Sequence, residues 1–367
     1  MAKPRKLTWD KPEYTKAEVN WAGKVISGQK KCSEEEEERA IKIFENWRAS
    51  HNYPLHIFQM RLKQYAEDLD TSAIIAQRLK RAPSIINKLQ RKYEDNSPSM
   101  RLYQMQDIGG CRAIMSSVEL AKKLFEKKFI KGDLRHKKSG EKNYIITPKK
   151  DGYRSFHLVY DYFSDKNRKM FNDLKIEVQI RSRLQHLWAT ALETIDFITK
   201  QAMKFGRGRK EWSEFFLLVS SAFSDMEGYP FLENTPQNKK ELYTKIKQKE
   251  NELKAIDKLK AFTTAFREYT EKSKDKKKEA KFFLLELSMV ENDKRLIITE
   301  YGKSEKDKEK AIKHYGLKEK EHKNDPDYDV VLVSVDDVKD LKRAYPKYFA
   351  DTREFIAQLN KIIEEIN

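Results

Sequence analysis

Four short stretches of this chain carry residue types suited to phosphate chemistry. Glu177, Gln179 and Arg181 alternate with Ile176, Val178 and Ile180. A strand over residues 175–181 therefore puts acid, amide and guanidinium on one face and three aliphatics on the other. A strand that only builds a core has little use for such a face, because buried polar groups need partners. Upstream, Asp151-Gly152-Tyr153-Arg154-Ser155-Phe156-His157 reads as a tight turn opening into a strand, and adds a loop aromatic and an imidazole. Asp107-Ile108-Gly109-Gly110-Cys111-Arg112 sets a carboxylate before a Gly-Gly turn and a strand-borne arginine. That pair can hold a hydrated Mg²⁺ beside a phosphate. Glu177 then serves as a second metal ligand or as the base for an attacking hydroxyl. Finally, Arg78, Lys80, Arg81 and Lys88 surround Ser84 at a helix start, where free amides and the positive dipole end suit a polyphosphate.

The elements that must position these residues follow from the patterning. Residues 15–95 read as helical. Ser33 precedes an acidic first turn, a second helix covers 55–69, and a third follows Pro83. From about residue 105 the period changes. Strands are expected at 111–115, 143–146, 155–163 and 175–181, with helices at 118–129, 184–201 and 211–226. Leu184, Leu187, Trp188, Ala191, Leu192 and Ile195 form the buried stripe of the second of these helices. Residues 239–281 lack Gly and Pro and are rich in lysine and glutamate, as in a long exposed helix or helical pair. Beyond them, strands at 282–287 and 295–298 around Asn292-Asp293, a helix at 305–314, a strand at 329–335 and C-terminal helices make a small β-β-α-β-α module separate from the first domain. The expected fold class is α+β, a mixed sheet flanked by helices plus that module. The division falls at 1–272 and 273–367, with a charged helical linker from about 239.

Composition narrows the partners. The 367 residues are 39% hydrophobic and 36% charged, with a formal net charge of +17 and a pI near 9.4. Such an excess favours polyanions, nucleic acid before an anionic membrane. Lysine-rich composition also produces it with no partner at all. Cys32 and Cys111 are too few for a disulfide framework or a four-cysteine zinc site. No apolar run nears the roughly 20 residues of a membrane span, and the first six residues are not followed by an apolar segment, so a cytoplasmic protein is expected. Gly302-Lys303-Ser304 lacks the upstream glycine of a P-loop, since position 297 is isoleucine. None of the seven histidines precedes an aspartate, so no His-Asp hydrolase site is expected.

Taken in order, these stretches resemble the synthetase domain of the RelA/SpoT-type alarmone synthetases, over about residues 70–200. The resemblance implies an ATP-dependent pyrophosphokinase that transfers pyrophosphate to a 3′ hydroxyl. It implies Arg78, Lys80, Ser84, Lys88 and Arg112 as ATP contacts, and Asp107 with Glu177 as catalytic carboxylates and Mg²⁺ ligands. Tyr153 would stack on the acceptor base, with His157 and Gln179 lining its pocket. Phosphoryl-type transfer needs mainly positioning and charge neutralisation from the protein, which these residue types supply.

The whole chain, through the order of its parts and the segment Ala344-Tyr345-Pro346-Lys347-Tyr348, resembles CapRel, a fused toxin–antitoxin family of antiphage defence. That likeness implies a zinc-finger-like module without metal, in keeping with a module that has no cysteine and only His314 and His322. It further implies that Tyr345 and Tyr348 fold back over the ATP site of a monomer, and that a phage protein such as major capsid protein relieves the block. The acceptor stays open between the 3′ end of tRNA and GDP, GTP or adenosine nucleotides. For tRNA, Lys149 and Lys150 together with Lys30-Lys31 and residues 135–138 would neutralise acceptor-stem phosphates, leaving Tyr153 to stack on the terminal adenine.

Overall fold

The computed structural model describes residues 9–91, 100–199, 210–265, 267–271, 280–288, 294–302, 304–322, 325, 328–334, 341–342, 344–345 and 352–366. Among the described residues, nine strands form one mixed sheet: β1 (Ile74–Leu79), β2 (Gly109–Met115), β3 (Lys137–Asn143), β4 (Phe156–Asp161), β5 (Lys175–Ser182), β6 (Arg267–Glu271), β7 (Ala280–Ser288), β8 (Arg295–Gly302) and β9 (Tyr328–Ser334). Their order is β3-β4-β5-β2-β1-β9-β7-β8-β6. The β2–β5 and β6–β8 pairs are parallel and the rest antiparallel. Along β2, Cys111, Ala113 and Met115 face one side, with Ile75 of β1 and Ile176, Val178 and Ile180 of β5. They pack on α1 (Lys16–Ile26), α2 (Glu34–Ser50) and α3 (Asn52–Glu67). Reciprocal Thr15–Glu18 and Ser33–Glu36 capping boxes start the first two of these helices. The opposite sheet face carries Ile74, Ala76 and Ile114 against β7–β9 and residues 341, 344 and 345.

Three local expectations change. Residues 74–79, expected helical, are strand β1, held between β2 and β9. A short apolar run does not reveal its period, and tertiary pairing decides it. Residues 144–146, expected in a strand, form a turn, because the Asn143 side chain accepts from the amides of Ile145 and Ile146 at 3.2 and 3.1 Å. The strand lies before them, at Lys137–Asn143, on the sheet edge where charged residues on both faces are tolerated.

The C-terminal strands also do not stand apart. Strand β9 pairs with β1, Gln77 opposite Ser334 and Arg78 opposite Val333, so β7–β9 extend the same sheet. The charged stretch becomes α8 (Lys239–Leu253) and α9 (Ala255–Ala265), broken at Lys254 by a left-handed φ of 52°, but its residues 267–271, expected helical, are strand β6, which pairing with β8 fixes. Leu242, Tyr243 and Ile246 of α8 are buried with Trp188 of α6 (Arg183–Thr199), Phe216 of α7 (Lys210–Met226), and Phe355 and Leu359 of α11 (Arg353–Glu364). The last helix therefore belongs to the core around α6–α8 rather than to the neighbouring strands. Among the described residues, no helix is long and apolar enough to cross a membrane.

Candidate active site

The face of β5 that carries Glu177, Gln179 and Arg181 continues across β4 and β2, with His157 and Arg112 in register on either side of Gln179. These side chains close a ring of hydrogen bonds. Arg181 donates to the Tyr153 hydroxyl at 3.0 Å and to Gln179 Oε1 at 2.7 Å. Gln179 Nε2 donates to Glu177 Oε2 at 2.6 Å. On the other side, His157 Nδ1 lies 2.9 Å from Glu177 Oε1, and its Nε2 lies 2.7 Å from the Tyr153 hydroxyl. One assignment satisfies every link: Nδ1–H donates to the carboxylate, and Nε2 accepts from the phenol, which itself accepts from Arg181. Donors thus run from Arg181 down both arms to Glu177. Burial pushes the Glu177 carboxyl up, but the hydrogen bonds from His157 and the Gln179 amide outweigh it, and the acid sits below its ordinary range.

A tight turn presents Tyr153. Gly152 has φ +89° and its amide donates to Lys149 O at 2.8 Å. A Cβ there would stand 3.0 Å from Ser220 Cβ, so both conformation and space favour glycine. Ser220 Oγ donates to Gly152 O at 2.5 Å, tying the turn to α7. Arg154 adds a second tie, a 2.8 Å ion pair with Glu227, both side chains at most 5% exposed. The Tyr153 ring is flanked by Lys149 Nζ, 4.8 Å from its centroid, and by the Arg181 guanidinium at 5.4 Å. Lys150 is exposed.

Asp107 lies just before β2. Lys80 Nζ holds one of its oxygens at 2.9 Å, and Lys88 Nζ of α4 (Ala82–Leu89) holds the other at 3.0 Å. Burial alone would raise this acid, but the two ammonium groups win and hold it at about 2. Pro83 and Ser84 occupy the first turn of α4. Gly110 stands opposite Arg78 on β1 and opposite Glu177 on β5. A Cβ there would meet only Glu177 O, at 3.9 Å, so the floor between that cation and that carboxylate is open across about 10 Å of two strand spacings. Gly109 differs, since a Cβ there would strike Ile176 Cδ1 at 2.7 Å.

C-terminal residues reach this half of the face. Arg112 Nη2 donates to Ala344 O at 2.6 Å, and its guanidinium lies 5.8 Å from the Tyr345 ring centroid. Burial and the neighbouring Arg181 bring Arg112 down to about 10. The buried Tyr345 hydroxyl donates to Gln77 O at 2.9 Å. Tyr348 lies outside the described residues. From α10 (Glu305–Glu321), Glu319 accepts from the first α4 amide, Ala82 N, at 2.8 Å and from Arg48 at 2.8 Å. Arg81 pairs with Asp329 of β9. The Arg48–Glu319 and Arg154–Glu227 pairs were invisible in the sequence, because their members lie 271 and 73 positions apart and carry no motif.

Residues 77–197 match the family model described as "Region found in RelA / SpoT proteins". That stretch is a RelA/SpoT region. It holds β2 to β5, the last three residues of β1 and the site residues just described from Arg78 to Arg181. Among curated proteins, the chain is 29% identical to GTP pyrophosphokinase YjbM of Bacillus subtilis over 138 residues, 37% of this chain and 62% of the relative. It is 34% identical to GTP pyrophosphokinase YwaC of the same organism over 113 residues, 31% of this chain and 52% of the relative. The chain thus spans less than two thirds of either. Among solved structures it is similar to the small alarmone synthetase 2 of Bacillus subtilis, at 21% identity and TM-score 0.41, covering 50% of this chain and 94% of that one. The small alarmone synthetase 1 of Bacillus subtilis, bound to its product pppGpp, matches at 24% and 0.41, covering 51% and 93%.

Proposed function

We propose that the chain is an ATP-dependent pyrophosphokinase that moves the β,γ-pyrophosphoryl group of ATP to a 3′ hydroxyl, with the 3′ end of tRNA as acceptor. The observation that carries the reading is the shared sheet face, with Glu177 oriented by His157 and Gln179 at one end and Asp107 clamped by Lys80 and Lys88 at the other. The acceptor 3′ oxygen attacks the β-phosphorus. Its new P–O bond forms as the bond from that phosphorus to the α,β-bridging oxygen breaks, and AMP leaves. Glu177 takes the hydroxyl proton; held ionised by its neighbours, it is ready as a base. Lys80, Lys88, Arg78 and Arg112 bind and neutralise the polyphosphate as they turn from their present partners to it, and the α4 amides add to that charge.

Asp107 and Glu177 fit a Mg²⁺ that arrives with the phosphates. Such an ion is held by one or two carboxylates, substrate oxygens and water rather than by an all-protein cage, and among the described residues no group of three or more His, Cys, Asp or Glu could hold an ion alone. When bound, Mg²⁺ supplies charge neutralisation on the polyphosphate.

The net charge of +17 and the exposed Lys137, Lys138 and Lys150 support a nucleic-acid acceptor. Free GDP or GTP is the second reading, favoured by relatives named GTP pyrophosphokinases. The Ala344 and Tyr345 contacts to Arg112 and β1 support a closed, self-inhibited state, which binding of a phage protein such as major capsid protein to the C-terminal strands would release. The test incubates purified protein and its Tyr345→Ala variant with γ-labelled ATP and tRNA or GDP. Label on tRNA, greater in the variant, is the expected result. Label on GDP alone moves the conclusion to the second reading, and label on neither refutes both.

A further inference from the structure

Beside Tyr153 stands a second aromatic residue that no motif singles out. Tyr144 lies in the turn after β3, and its amide donates to Ser155 O at 2.9 Å, fastening that turn to the start of β4. Its ring meets the Tyr153 ring edge-on, with centroids 6.0 Å apart and planes at 71°. It meets the His157 imidazole in the same way, at 5.3 Å and 82°. Tyr144 and Tyr153 thus form an aromatic corner, and the Lys149 ammonium sits in it, 4.7 Å from one centroid and 4.8 Å from the other. The Tyr144 side chain is half-buried, and its hydroxyl makes no hydrogen bond among the described residues. Burial raises this phenol's pKa, and the charges of Glu177 and Asp151 raise it further, as expected of a ring beside the acceptor carboxylate.

We infer that Tyr144 is the second wall of the acceptor-base pocket, and that Lys149 is a built-in occupant of that pocket which the acceptor base displaces. The inference rests on the acceptor role proposed above for this half of the site. Its physical basis is competition for one aromatic face. A cation is drawn there by the ring quadrupole and a nucleobase by stacking, and one corner does not hold both. The displaced ammonium sits on a flexible four-carbon stem, so it can swing to a phosphate of the same acceptor and turn from competitor to counter-charge. An acceptor that brings both a base and a phosphate is therefore preferred over one that brings either alone. Tyr144 acts on specificity, with its ring against the base and its unpaired hydroxyl available to a base edge.

Binding of adenosine, guanosine and their 5′-diphosphates to the full-length chain tests this without ATP and without turnover, by calorimetry or tyrosine and tryptophan fluorescence. Tyr144→Ala should weaken nucleoside binding about tenfold, the scale of a lost aromatic or stacking contact. Tyr144→Phe should keep the stacking and change only the ratio of adenosine to guanosine affinity. Lys149→Met should tighten nucleosides roughly two- to fivefold, the scale of a lost cation–π competitor, while weakening the diphosphates. Thermal melting of each variant establishes that it is folded. Nucleoside affinity unchanged in folded Tyr144→Ala and Lys149→Met proteins overturns the inference and leaves the proposed activity standing. A wild-type chain that binds neither nucleosides nor diphosphates overturns both.

Discussion

Replacing Glu319 by alanine should release the C-terminal strands from α4. Both members of the Arg48–Glu319 pair are nearly buried, at 10% and 12% side-chain exposure, with Nη1 to Oε2 at 2.8 Å. The other carboxylate oxygen accepts from the Tyr315 hydroxyl at 2.7 Å and from Ala82 N at 2.8 Å. Arg48 also donates to Lys80 O at 2.8 Å. Removing the carboxylate leaves a buried guanidinium with only neutral partners. Breaking a buried pair on one side costs about 3–5 kcal/mol, against about 0–1 for an exposed one. Every 1.4 kcal/mol is tenfold in an equilibrium, so local opening should rise by roughly a hundredfold or more. Amide exchange in β9 and α10 reads that opening, with α1 and α3 as internal control. An increase below about fivefold, the scale of an exposed pair, would refute the claim that this contact anchors the docked strands. A double-mutant cycle with Arg48→Met then separates the pair from the rest of the seam. Under the proposed closed state, the same substitution also tightens ATP, because it clears a carboxylate from the α4 amides.

Three other outcomes are expected. Glu177→Gln should lower kcat by at least about a hundredfold, the scale of a general base, with ATP binding retained; comparable turnover would assign the proton elsewhere. Gly110→Ala should fold normally, since its Cβ meets only a carbonyl at 3.9 Å, yet lose activity by narrowing the floor between Arg78 and Glu177. Melting temperature and turnover measured together check this, and unchanged turnover contradicts an open floor with a purpose. Asp107 lies well below its ordinary 3.8, at about 2. Its contribution, roughly 2 kcal/mol, is therefore present above about pH 4 and lost as pH falls through about 2. Unfolding followed between pH 5 and 2 should show a smaller acid loss in Asp107→Asn than in the wild type.

Alternation along residues 175–181 by itself determined which face of β5 would be polar, because the side-chain period of a strand admits no other arrangement. The Gly152 turn, the helix start at Pro83 and the sheet-bearing α+β class were also legible, since each rests on local backbone preference. Edge strand β3 was not, for its polar sequence carries no alternation and only its pairing with β4 makes it a strand. Nor was β1, an apolar run that two neighbouring strands fix. The sequence put Glu177, Gln179, Arg181, His157 and Tyr153 in one neighbourhood. Only the folded chain closed them into a ring, since hydrogen-bond partners are chosen by rotamers and cross-strand register. The same holds at longer range. A separate C-terminal module was the natural reading of a charged stretch followed by new strands. Its strands instead join the sheet through β9, and Glu319, Ala344 and Tyr345 contact α2, α4 and β2 or the backbone of β1. Contacts across more than two hundred residues leave no periodic trace in a sequence, because they depend on where the whole chain has already placed its surfaces.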